Sequence, residues 1–326
     1  MNDSNPEAVP VQSTPSSSYK DRSTGLIVFG ILTLLLGGLC ALFVLLMLIG
    51  QAAAARTNPS PAGAAAILPG MILYGGLAVA MVWLGIGSIM ARRWARALLL
   101  IFSWSWLIAG LAGSMVMAFT MPQVLAQQPT AGATPGNPAT PPVPIGAVMA
   151  GMLLFLGVFF ILCPLIWIFF YKSPNVKATC EARDPVTRWT DACPLPVLAL
   201  CLWLVFTVPM LLLMPIVGHG VTPFFGMFLT GLTGSFLCLL MAAVWAYAAC
   251  LLFKLDVRGW WLILIASLLM FVSSLLTYGR HDMIEAYRLM GYPEVQIEQI
   301  QKTGMLTGHR MNWITLFCAV PFLAYI

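Results

Sequence analysis

The sequence predicts an all-α, polytopic transmembrane helix bundle of about eight spans. Three observations predict it. Hydrophobic residues make up 60% of the chain and charged residues 8%, where a soluble domain carries roughly 25% charged residues. Apolar runs long enough to cross a bilayer recur along the whole chain, and nearly every charge falls in the segments between them. So few charges cannot cover the surface of a 326-residue soluble fold, and the solvent implied is lipid. The formal net charge of +5 is scattered through short loops rather than gathered in a basic face, so no nucleic-acid partner is expected.

A helix needs about 20 apolar residues to cross the hydrocarbon core. The runs that meet this are Gly25–Gly50, Ile67–Ala91, Ala97–Met121, Ile145–Tyr171, Leu195–Val217, Phe224–Phe253 and Trp260–Gly279. An eighth, Asn312–Ile326, is short, and it starts near Met305 if His309 and Arg310 snorkel to the headgroups. The apolar core of the first run exceeds the 7–15 residues of a signal peptide. It reads as an uncleaved anchor.

Orientation follows from Lys and Arg, which concentrate on the cytoplasmic side of short loops. With the N-terminus inside, the inner segments carry Lys20, Arg22, Arg92, Arg93, Arg96, Lys172, Lys177, Arg183, Arg188, Lys254 and Arg258. The outer ones carry only Arg56, Arg280, Arg288, Lys302 and Arg310. Both chain ends are then cytoplasmic. Of the eight cysteines, Cys180 and Cys193 share one inner loop and the other six lie in spans. None falls in an outer loop, where disulfides would form.

The chain divides into a cytoplasmic tail, 1–24, and a helical membrane domain, 25–326. The tail and the uncharged outer stretch Pro122–Pro144 are rich in Pro, Ser, Thr and Ala and are expected to be disordered. The outer loop 280–311 reads as an amphipathic helical hairpin. Its first helix stops at Gly291, and its second opens at Pro293 and ends at Gly304.

The inner loop 172–194 holds the most specific string, VKATCEARDPVTRWTDACPLPVL from Val176 to Leu198. It interleaves Glu181, Arg183, Asp184, Arg188 and Asp191, with Trp189, between Cys180 and Cys193. Two cysteines are half of a zinc site, and a redox pair is usually closer, as in Cys-x-x-Cys. An ion-paired surface element that docks a protein partner is the expectation. The string resembles a cytoplasmic loop of bacterial multi-pass membrane proteins to which no activity is assigned. That resemblance implies a bacterial inner-membrane location and no chemistry.

The seven long runs contain no Asp, Glu, Lys, Arg or His. Intramembrane ionisable groups mark proton relays and catalytic sites, so proton-coupled carriers, pumps and paired-aspartate proteases are disfavoured. Pro164, Pro209 and Pro215 read first as kinks re-satisfied by neighbouring helices; the other reading, that they break their helices, keeps open a carrier for an uncharged or amphipathic solute. No catalytic residue and no cofactor is expected. One metal hypothesis stands on the outer face, which holds all three histidines. His219, His281 and His309, with Glu285 one turn from His281, are a donor set for zinc or a similar ion. A shift of 166 residues also lays spans one to four on spans five to eight, pairing Arg92 with Arg258 and Trp94 with Trp260. This predicts two parallel four-helix repeats. The leading functional expectation is a non-catalytic membrane protein with the bilayer and a docked protein as its partners.

Overall fold

The computed structural model describes residues 20–57, 61–127, 145–292 and 307–326, together with Glu294, Ile297, Glu298 and Gln301. The tail 1–19, the outer connector 128–144 and most of the second helix expected between 293 and 304 lie outside these residues. The long helices are α1 (Ser23–Thr57), α2 (Pro61–Ile89), α3 (Arg93–Gln127), α7 (Leu195–Val217), α8 (Gly231–Phe253) and α9 (Val257–Tyr278). A further span is built from α4 (Ile145–Leu156), a π-helical turn (Gly157–Leu162) and α5 (Cys163–Lys172). Helix α3 continues through Gln127, into the stretch expected to be unstructured from Pro122.

Among the described residues seven helices are long and apolar enough to cross a membrane. Helices are the natural solution, since lipid offers no partner to a backbone N–H or C=O. Large apolar side chains such as Leu35, Ile216, Leu232 and Phe236 point outward, as lipid contact requires. The chain is an integral membrane protein.

The eighth expected span is the 18-residue helix α11 (Gly308–Tyr325). At one end the Gly308 N–H donates to Asp282, just past α9, at 2.6 Å. At the other, the Trp260 indole N–H donates to the Ile326 carbonyl and the Tyr325 hydroxyl to the Pro196 carbonyl. Helix α11 therefore runs the full height of the bundle, antiparallel to α9. Its length of about 27 Å is close to the hydrocarbon thickness of about 30 Å.

Two apolar cores form, one per half of the chain. Leu26, Leu84, Leu99, Trp167, Ile168 and Tyr171 make the first, drawn from α1, α2, α3 and α5. Leu204, Trp245, Ala248, Leu252 and Ile263 make the second, with Phe322 of α11 packed against it. Each half thus closes on itself, with Ile101, Cys193 and Leu198 at the seam.

The turns into α3 and α9 share one construction. Ala91 and Leu255 both take left-handed φ, 53° and 57°, unusual for residues with a side chain. Ala91 N–H bonds Ser88 O while Arg92 N–H bonds Gly87 O; Leu255 N–H bonds Leu252 O while Asp256 N–H bonds Leu251 O. The shift that superposes these turns is the 164 residues from Ala91 to Leu255, not 166. It sets Arg92 opposite Asp256 and moves the Arg92–Arg258 and Trp94–Trp260 pairings two residues out of step. The helix crossing that follows is shared as well. A Cβ built on Gly87 would lie 2.6 Å from Ala95 Cβ, and one built on Gly259 would lie 2.7 Å from Leu251 Cβ. The same two positions touch, with glycine on opposite sides.

One local expectation needs correction. The sixth span starts at Gly231 rather than Phe224, because Thr222–Phe224 (β1) and Met227–Leu229 (β2) form an antiparallel hairpin. Its tip, Phe225 and Gly226, has positive φ at both residues, the geometry of a two-residue hairpin turn. The tip N–H groups donate to Ser273 Oγ and Thr277 Oγ1 of α9. An apolar run this short looks alike as strand or helix. In α7, Pro209 and Pro215 lie inside one helix, so neither opens a broken segment. Pro164 follows the π-helical turn, in which Cys163 N–H bonds Val158 O. Pro164 has no N–H for the carbonyl of Phe160, and that carbonyl faces Gly110 of α3, where a Cβ would come within 2.5 Å.

Candidate functional site

Residues 172–194 fold into a cap that gathers a dense set of charged side chains at one end of the bundle. Ser173 and Pro174 break the chain out of α5 and start helix α6 (Pro174–Arg183), with Pro at a first-turn position that needs no N–H. Asp184 stops α6, and Arg188 N–H bonds Asp191 Oδ2 at 3.0 Å to shape the short 3-10 turn Trp189–Asp191. Pro194 and Pro196 then launch α7.

The cap is locked to the spans by a charge network. Asp184 is 2% exposed. It pairs with Arg188 at 3.1 Å and Arg92 at 3.6 Å, and accepts the Arg93 backbone N–H at 3.4 Å. Burial pushes its carboxyl up, but Arg188, the Arg93 N–H and Arg92 outweigh that and hold it below the usual carboxylate value. Arg93 reaches Glu181 and Asp191, each at 3.6 Å, and Lys177 supports Glu181 at 3.8 Å. The start of α1 is tied in by Arg22 N–H to Thr179 Oγ1 and by Asp21 to Arg183. Beneath the cap Tyr171, fully buried, donates its hydroxyl to Ser88 Oγ at 2.7 Å, and Ser88 donates to Leu26 O. Helices α1, α2 and α5 meet there.

Between the cap and the starts of α3 and α7 lies a cavity of about 280 Å³. Arg93, Arg96, Lys177, Glu181, Asp191 and Thr190 contribute its polar lining, and Cys180, Cys193, Ala97 and Leu195 the rest. Both cysteines are free and buried. Burial drives the Cys180 thiol up to about 11, with Arg96 drawing it only partly back, and raises Cys193 as well. Protonated thiols are poor nucleophiles and poor metal ligands.

At the opposite end His281 Nδ1 meets Glu285 Oε2 at 2.7 Å, on the short helix α10 (Met283–Leu289) and the turn before it. His309 Nε2 accepts the Trp313 indole N–H at 3.2 Å on α11. His219 sits in the turn after α7, with Nε2 3.8 Å from where a Gly291 Cβ would be. Of the predicted set His219, His281, Glu285 and His309, the structure brings together His281 and Glu285. Among the described residues no group of three or more His, Cys, Asp or Glu is placed to hold a metal ion.

The sequence marked the cap as charged but not its counterpart on α3. Arg92, Arg93 and Arg96 read as an orientation signal, and Arg92 and Arg93 also supply the spans' side of the network. Fold and site define a polytopic α-helical integral membrane protein with a polar cap on one end. No family model, curated protein or solved structure matches the chain.

Proposed function

We propose that this is a non-catalytic protein of the bacterial inner membrane, oriented with its N-terminus and cap in the cytoplasm, and that the cap docks a protein partner. One observation carries the reading. Lys177, Glu181, Asp184, Arg188 and Asp191 of the cap are spent on Arg92, Arg93 and each other, while Val186 and Trp189 stand uncovered at 58% and 46% exposure. A rigid element that presents apolar side chains fits an interface better than a reaction centre. The split of Lys and Arg toward the capped end supports the orientation.

A photo-crosslinking residue at Val186 in living cells, with lipid-facing Leu232 as control, tests this. A discrete protein adduct at 186 that is missing at 232 is expected. Lipid adducts alone at both positions would reject a docked protein.

A further inference from the structure

We propose that the cavity under the cap is a binding site for a phosphate-bearing anion, the chemistry shared by an anionic phospholipid headgroup and free phosphate. This does not depend on the docking reading. Three cations, Arg93, Arg96 and Lys177, line the cavity against two carboxylates, Glu181 and Asp191. Both carboxylates are already held by Arg93, each at 3.6 Å.

Arg96 is left over. Its Nε donates to the Tyr171 carbonyl at 3.1 Å, which fixes the plane of the guanidinium. Among the described residues its terminal nitrogens have no hydrogen-bond or ion-pair partner, although the side chain is half-buried. A guanidinium anchored through Nε keeps its two terminal nitrogens for a planar, two-point grip on phosphate oxygens. Thr190 adds a second, independent sign. It is 3% exposed, it lines the same cavity, and its Oγ1 has no hydrogen-bond partner. Buried hydroxyls are normally satisfied, and an oxygen-rich ligand supplies what is missing.

Position narrows the ligand further. Arg93, Arg96 and Ala97 open α3, and Leu195 opens α7. The cavity therefore lies where hydrocarbon gives way to headgroups, the level at which basic pockets between spans take anionic lipids. Its 280 Å³ suits a headgroup or a small phosphate ester rather than a whole acyl chain.

The test uses the full chain in nanodiscs of phosphatidylcholine. Native mass spectrometry follows retention of added phosphatidylglycerol, and calorimetry follows inorganic phosphate. Saturable binding of at least one probe is expected, weakened tenfold or more by Arg96→Gln and partly restored by Arg96→Lys. Lys177→Gln, on the exposed face of α6, should weaken binding several-fold and guards against misfolding of the Arg96 variants. Retention of phosphatidylglycerol without phosphate binding assigns the site to the membrane; phosphate binding in pure phosphatidylcholine assigns it to a soluble ligand. Binding of neither probe, or binding unchanged in Arg96→Gln and Lys177→Gln, overturns the proposal.

Discussion

Asp184 serves the first turn of α3 from 91 residues away, accepting the Arg93 backbone N–H at 3.4 Å. In the second half of the chain Asp256 does the same job for α9 locally, accepting Arg258 N–H at 2.9 Å. Arg92 stands where Asp256 would be, and an arginine cannot accept. A helix start needs acceptors for its free N–H groups, so the cap completes what the local sequence of α3 lacks.

Removing that carboxylate should therefore destabilise the first half. Asp184→Ala strands Arg92 and Arg188 and leaves α3 uncapped. We expect a loss of about 2–3 kcal/mol, below the 3–5 kcal/mol of a wholly buried pair because both arginines are about one-third exposed. Thermal melts in detergent, compared with Asp184→Asn, measure it.

The same group sets an acid limit. Its folded pKa lies below the unfolded value near 3.8, so its stabilisation is complete above that value. It fades as pH falls through the folded pKa. Melts of the parent and Asp184→Asn should differ at pH 6 and converge below about pH 4. A gap that stays constant down to pH 3 would contradict this.

Cys180 should alkylate slowly, at a rate that keeps rising toward pH 11, since its thiol titrates at about 11. An ordinary thiol levels off above about pH 8.5. Mass-tagging at pH 7–10.5 with the other cysteines replaced gives the profile. Replacing Cys180 and Cys193 together by Ser should leave expression and folding nearly intact.

The crossings after the two turns predict a swap. Gly259→Ala places a methyl group 2.7 Å from Leu251 Cβ and should cost about 1–3 kcal/mol. Adding Leu251→Gly rebuilds the Gly87–Ala95 arrangement of the first half and should recover part of the loss. A double-mutant cycle on thermal stability reads the coupling.

Much of this architecture was legible in the chain. The seven long runs are seven long helices, since lipid admits little else at that length. Gly291 does end α10, with φ of 77°. What escaped was non-local. Phe224–Leu229 is apolar enough to pass for the start of a span, and the hairpin that forms there is held by its own strand pairing and by Ser273 and Thr277, 48 and 51 residues on from the tip. The 164-residue register of the turns was hidden because Arg-x-Trp repeats two residues out of step with the backbone. The pairing of Arg93 with Asp184 has no local signature at all.

The bond from Arg22 N–H to Thr179 joins residues 157 apart, and that separation is also a delay. At about 5–20 residues made per second, Thr179 follows Arg22 by roughly 10–30 s. Helices α1 and α2 can pair as soon as both are inserted, but the clamp across the start of α1 closes only when α6 has emerged. During that interval α1 is held by α2, through the Ser88–Leu26 bond and the close approach of Gly30 and Gly85. The cap is thus a latch on the clock of synthesis, closing over the start of α1 only after α1 and α2 have paired.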